Sequence, residues 1–281
     1  MSVVRRGALA FIVGAWLTMD GARAVCQTGL PPTDGAAASR PLDDFMRVAT
    51  RYQYDDVSGI EPWHDWSLSF AQRTPLGSVI AGVNTARRFG KNGAQLEVQA
   101  YPYLTARSYL ALNGAWSGST GVFLPMRLSG EAFYNFASGW ETSVGARYFQ
   151  TPGPDVLYYT GTLGKYFGNH WVSGRPYLTG FARGDSYGWE LTGRRYFADR
   201  FDYLSLLVSR SVGAAPETRD PQLFTQSERP SSFLARLDRR QRLGASHLRL
   251  TYGAGYERER IAPGVTRLHR TGTLGVEWFV P

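Results

Sequence analysis

From about residue 45 to its end, the chain alternates apolar and polar positions in runs of roughly ten residues broken by turn residues, the period of strands with two unlike faces. The clearest pair spans 126–148. Met126, Leu128, Gly130, Ala132, Tyr134 and Phe136 alternate with Arg127, Ser129, Glu131, Phe133 and Asn135. After Ala137-Ser138-Gly139, Trp140, Thr142, Val144, Ala146 and Tyr148 alternate with Glu141, Ser143, Gly145 and Arg147. A three-residue loop pairs Phe136 with Trp140, so both apolar sets share one face and the charges share the other. The same reading predicts strands at about 45–54, 63–73, 78–88, 94–103, 107–117, 126–136, 140–148, 156–167, 170–181, 186–197, 201–212, 231–241, 246–258 and 266–280. Thr74-Pro75-Leu76-Gly77 and Lys91-Asn92-Gly93 are predicted turns. Pro176 removes a ladder donor and predicts a bulge or weak pairing. Arg236, Asp238, Arg239 and Arg240 blur the alternation of the twelfth strand.

The strand number is even, about 14 within a range of 12–16. Turns after even strands are short, and several after odd strands are longer, up to 213–230. Short turns on one side and long loops on the other are the pattern of an outer-membrane barrel with both termini in the periplasm. The expected fold is therefore all-β, a transmembrane antiparallel up-and-down β-barrel. A soluble sandwich needs neither strands of this length nor this sorting of loops.

The leader supports export. Arg5 and Arg6, the apolar run from Gly7 to Met19 and Ala22-Arg23-Ala24 read as a signal peptide over 1–24, cleaved after Ala24. Its apolar run is too short for a spanning helix. Arg23 and Val25 do not fit a lipobox before Cys26, and a single Cys makes no internal disulfide. Residues 25–42, rich in Pro, Gly and Ala, read as a flexible periplasmic lead-in, with the barrel over 43–281. No later apolar run approaches a membrane helix, so a barrel is the remaining way into a membrane.

Aromatics make up 14% of the 281 residues, which suits interfacial girdles at the ends of the apolar rows. The formal charge is +8, and loss of Arg5, Arg6, Arg23 and Asp20 with the leader lowers it by two. Lys91 and Lys165 are the only lysines; the arginines are scattered singly along the chain, which argues against a nucleic-acid footprint.

At the C-terminus, Leu274, Val276, Trp278 and Val280 alternate with Thr273, Gly275, Glu277 and Phe279. Thr273, Gly275, Trp278 and Val280 match the form of a barrel-insertion signal, although Pro281 stands where a terminal aromatic is usual. The expected partners are the barrel-insertion machinery, through this strand, and outer-membrane lipid with lipopolysaccharide.

Further stretches carry a family resemblance. They are Val79 through Asn84 with Arg87-Arg88-Phe89-Gly90, Glu97 through Pro102, Trp140-Glu141 with Gly145-x-Arg147-Tyr148, and Tyr159 through Tyr166. Gly168-Asn169-x-Trp171, Arg175-Pro176-Tyr177 and Arg194 through Phe197 complete the set. Together they resemble the YaiO family of outer-membrane β-barrel proteins over roughly 45–281. The resemblance implies location and architecture and brings no catalytic or binding residues with it.

Parity assigns Arg47, Arg51, Glu97, Arg127, Glu131, Glu141, Arg147, Arg175, Glu190, Arg194, Arg249 and Glu257 to the lumen, because charges at membrane depth face water or one another. That lining is compatible with a passive channel or translocation pore for polar, anionic or glycan-like solutes, and equally with an ion-pair network that fills the barrel. A non-conducting surface or structural barrel that binds a partner through its outer loops is the alternative. Arg210 and Arg270 fall on the outward parity near the outer rim. Asp55, Asp56, His64 and Asp65 gather around the first outer loop and could activate water, a remote hydrolase reading in which geometry is the test. No cofactor is expected: His64, His170, His247 and His269 show no metal-ligand spacing, and no Gly-rich phosphate loop occurs.

Overall fold

The computed structural model describes residues 46–118, 122–151, 155–179, 186–212, 231–244, 246–262 and 264–280. The leader, the lead-in, Cys26 and the 213–230 loop lie outside the described residues.

Fourteen strands form the wall: β1 (Met46–Val57), β2 (Trp63–Thr74), β3 (Gly77–Arg88), β4 (Lys91–Thr105), β5 (Ser108–Trp116), β6 (Met126–Asn135) and β7 (Trp140–Gln150). The second half is β8 (Val156–Phe167), β9 (His170–Thr179), β10 (Ser186–Tyr196), β11 (Tyr203–Val212), β12 (Ser231–Arg242), β13 (Leu248–Ala262) and β14 (Val265–Val280). Each pairs antiparallel with its neighbours in sequence, and β1 pairs with β14 from Met46↔Val280 to Val57↔His269, so the sheet is a closed barrel. Closure follows from the solvent: a lipid-exposed edge would leave a row of backbone groups without partners. No described helix is long and apolar enough to cross a membrane; the strands cross instead.

Alternation sets the two faces. Trp66, Leu68 and Phe70 of β2, Val144 of β7 and Leu274, Val276 and Trp278 of β14 are exposed on the outer surface. Their sequence neighbours on the other parity, such as Arg73, Arg147 and Glu277, are buried inside.

Local chemistry explains the turns. Phe136 N–H donates to Trp140 O (2.8 Å), and Gly139, at φ +77°, supplies the left-handed residue of the three-residue loop. The turn between β3 and β4 differs from expectation. Phe89 and Gly90, at φ +52° and +68°, make it, and Asn92-Gly93 lies inside β4, where Arg87↔Asn92 and Ala86↔Gly93 pair. Two consecutive positive-φ residues suit a two-residue hairpin, and the Phe89 ring packs edge-on against Trp63 at 5.0 Å, a tertiary contact that outweighs the local Asn-Gly preference. At Pro176 the β8–β9 ladder keeps its register but is interrupted between Thr160↔Tyr177 and Leu163↔Gly174. The Pro176 carbonyl there accepts from Thr160 Oγ1 at 2.8 Å. β13 and β14 run on to a tight connection, longer at their outer ends than the alternation predicts.

Candidate functional site in the lumen

Inside the wall, charged side chains find one another. Glu97 accepts from Asn84 Nδ2 (2.9 Å), Gln99 Nε2 (3.0 Å) and Asn113 Nδ2 (2.6 Å), with Arg127 Nη2 at 3.8 Å. Glu131 accepts from Arg175 Nη1 at 2.7 Å, from Thr162 Oγ1 at 3.4 Å and from Ser143 Oγ. Arg47 and Arg240 share the Glu277 carboxylate, and Arg51 and Arg236 share Asp238. Tyr177 Oη donates to Glu190 (3.3 Å), Tyr109 Oη donates to Glu141 (3.5 Å), and Arg147 lies over the Tyr177 ring.

At the periplasmic end the 197–202 turn folds against the inside of the wall. Phe201 N–H donates to Asp199 Oδ1 at 2.7 Å, which caps the turn and tips the Phe201 ring into the barrel beside Phe279, 5.1 Å between ring centres. Arg249 stacks on both rings (5.2 and 4.2 Å) while bound to Asp199 at 2.8 Å, and Arg240 stacks on Phe201 at 4.9 Å. Ala71, Ile80, Tyr101, Tyr109, Phe133 and Tyr203 continue this layer as one buried cluster. Such cation–π contacts are worth about 0.5–2 kcal/mol each, more where water is excluded.

At the outer end residues 122–124 dip inward. Ser117 N–H donates to Pro125 O (2.9 Å), and Val122, Phe123 and Leu124 are buried against Ala86, Phe149 and Val156. Arg88 lies between the rings of Trp63 (5.3 Å) and Phe123 (5.9 Å) and holds Asp65 at 2.6 Å. Next to Trp63, His269 Nδ1 is 3.0 Å from Asp55 Oδ2, and its other nitrogen is 3.8 Å from Glu259.

Between the two ends lies a cavity of about 160 Å³ bordered by Arg47, Arg51, Gln53, Ser67, Ser69, Asn84, Thr251, Thr273 and Glu277, among others. Gln53 Oε1, Gln95 Nε2 and Arg47 Nε, at its edge, have no protein hydrogen-bond partner. With so many polar side chains around it, a cavity of this size has room and hydrogen-bond partners for water.

The structure places the twelve charged residues assigned by parity on the inner face; Arg51 is half-buried and the others are buried. Arg73, Arg88, Arg236, Arg240, Arg267, Asp55, Asp65, Asp238 and Glu259 join them. These additions nearly balance in sign, and many of the lumen's charges are engaged with one another. The sequence reading leaves these additional residues out of the lumen; strand parity, carried through β1–β3 and β12–β14, is the signal that places them.

Asp55, Asp56, His64 and Asp65 do not converge. His64 sits within β2 rather than in the outer loop and faces outward, where Tyr52 Oη lies 2.7 Å from its Nδ1. Asp56 also faces outward, beside Arg270 at 3.5 Å. Asp55 and Asp65 face inward, the first beside His269 and the second beside Arg88. Alternation splits the four into an inward pair, Asp55 and Asp65, and an outward pair, Asp56 and His64. Among the described residues no group of three or more His, Cys, Asp or Glu could hold a metal ion. Thr273, Gly275, Trp278 and Val280 all lie in β14, with Trp278 exposed on the outer surface and Thr273 at the cavity.

Residues 46–218 match the model of the YaiO membrane beta barrel domain. The chain belongs to the YaiO family. It is an outer-membrane β-barrel. Among curated proteins, none matches the chain. Solved structures similar to this YaiO barrel include Pseudomonas aeruginosa OpdQ, at 8% identity and TM-score 0.49, covering 85% of this chain and 98% of that one. Acinetobacter baumannii Omp33 is similar at 12% identity and TM-score 0.49, over 84% and 98% of the two chains. An anion-selective porin from Comamonas acidovorans is similar at 10% identity and TM-score 0.45, over 85% and 99%. Identities this low carry no function across.

Proposed function

We propose that this YaiO barrel is a narrow outer-membrane channel for small polar, anionic or glycan-like solutes, closed at rest. One observation supports it above others: connecting segments, residues 122–124 and the 197–202 turn, fold inward at the two ends. Small polar residues such as Ser67, Ser69, Asn84, Thr251 and Thr273 border the chamber between. Moving two short segments therefore widens the path without breaking the wall. Five arginines border the chamber, Arg47, Arg51, Arg194, Arg236 and Arg240, against four carboxylates, Asp65, Glu97, Asp238 and Glu277, a small positive excess that would favour anions or hydroxyl-rich solutes.

Planar-bilayer recording tests this. Wild type should pass little or intermittent current, and Phe201→Ala combined with Phe123→Ala and Leu124→Ala should pass steady current with anion preference. A folded triple variant that passes no current would sink the channel reading. The mutual pairing of the lumen charges favours a second reading, a non-conducting surface barrel that binds a partner through its outer loops. Deleting 214–229 would then remove binding and leave folding intact.

A further inference from the structure

Outward-facing arginines gather on one side of the barrel. Near the outer ends of β11–β14, Arg210, Arg258, Arg260 and Arg270 are exposed on the lipid-facing surface. The ladders bring them together. Phe233 pairs with Arg210 on one side and Arg258 on the other, and Arg270 pairs with Tyr256, one outward position below Arg258. Arg260 stands one outward position above Arg258. With strands about 4.8 Å apart, the patch is about 15 Å wide, the breadth of a disaccharide headgroup rather than of one phosphate.

Its depth is set by the strands. A transmembrane strand takes about 9–11 residues, and Arg258 and Arg270 lie ten residues on from the periplasmic ends of β13 at Leu248 and β14 at Val280. That is the outer interface. Trp189, Phe233, Tyr252 and Tyr256 are exposed around or below them, as in an interfacial girdle. Arg210, Arg258 and Arg260 form no ion pair with a described residue, and Arg270 has one loose partner, Asp56, with both side chains well exposed. Among the described residues, the outer ends of β2–β10 present one outward arginine, Arg87. The cations are thus concentrated where phosphates of the outer leaflet lie and, Arg270 beside Asp56 excepted, kept clear of carboxylates.

Snorkelling explains a single arginine at an interface, where its cost falls to about 0–1 kcal/mol, but gives no reason for four on one side. Guanidinium groups bind phosphate oxygens in pairs, with fixed geometry. We propose that the outward face of β11–β14 is a binding site for the phosphorylated glycolipid of the outer leaflet, lipopolysaccharide, held through the phosphates of its lipid A headgroup. The site stands whether or not the lumen conducts.

Native mass spectrometry of the purified full-length protein tests it, with bisphosphorylated lipid A, dephosphorylated lipid A and phosphatidylglycerol as competing ligands. Wild type should prefer the phosphorylated glycolipid over each competitor by at least about tenfold, the effect of 1.4 kcal/mol. R210Q/R258Q/R260Q/R270Q should lose that preference, and R87Q should keep it. A gel mobility shift on heating reports folding of each variant. If the fourfold variant does not fold, the three wild-type ligands still decide the matter. Equal binding of dephosphorylated lipid A overturns the proposal. So does equal binding of phosphatidylglycerol, the mark of general attraction to an anionic surface, or a folded fourfold variant with unchanged preference.

Discussion

At the periplasmic end, the turn residue Asp199 is ion-paired to Arg249 of the wall, and Phe201 and Phe279 lie under Arg240 and Arg249; at the outer end, Val122, Phe123 and Leu124 rest on apolar neighbours, and Arg88, paired with Asp65, stacks on Phe123. One closure is tied to the wall by charge, the other leans on it. A buried guanidinium that loses its counter-charge is costly, whereas an apolar loop that lifts leaves no unpaired charge behind. On the proposed channel reading, the outer segment is therefore the one to move first, and the periplasmic layer the one that sets the closed state.

The sharpest way to break this contrast is at Glu277. Replacing it with Ala leaves Arg47 and Arg240 without their shared carboxylate. We expect a loss of about 3–5 kcal/mol, read as a lower urea midpoint of the heat-modifiable gel band. A smaller shift would mean that water already screens the periplasmic layer. Phe201→Ala should cost about 3 kcal/mol, as for large-to-small changes in packed interiors, and should raise bilayer current further when combined with a loosened outer loop. Leu124→Ala should cost nearer 2 kcal/mol, because a loop relaxes around a lost side chain more readily than a strand does. If its cost equals that of Phe201→Ala, the two closures are equally tied and the contrast fails. Phe89→Gly should shift stability by no more than about 1.5 kcal/mol. Relief of the positive φ, worth about 1–2 kcal/mol, offsets loss of the Trp63 ring contact, worth about 0.5–1.5.

The same contrast explains what could be read in advance. Lipid on one side and paired charges on the other force strict alternation, so even β12, blurred by its arginines, lay where parity put it. The closures follow no period. Nothing in Val122-Phe123-Leu124 or Phe201 separates a residue folded inward from one in an ordinary loop. Ion-pair partners were out of reach for another reason: Arg47 and Glu277 are 230 positions apart, and their meeting depends on the seam register. The Lys91-Asn92-Gly93 turn missed because a preference for two residues cannot register the Trp63 ring beside Phe89.

The seam has a consequence for how the molecule comes into being. Arg47 meets Glu277, Asp55 meets His269, and Ser58 N–H donates to Leu268 O while its Oγ accepts from Leu268 N–H, so both flanks of the first strand are finished only by β2 and the last strand. Synthesis runs from the other end. Throughout translation and export, the first-made edge is open, and no partial wall can rest in hydrocarbon. Assembly is thus a single act that waits for the final residues, and a chain stopped short of its last strand is debris rather than a smaller barrel.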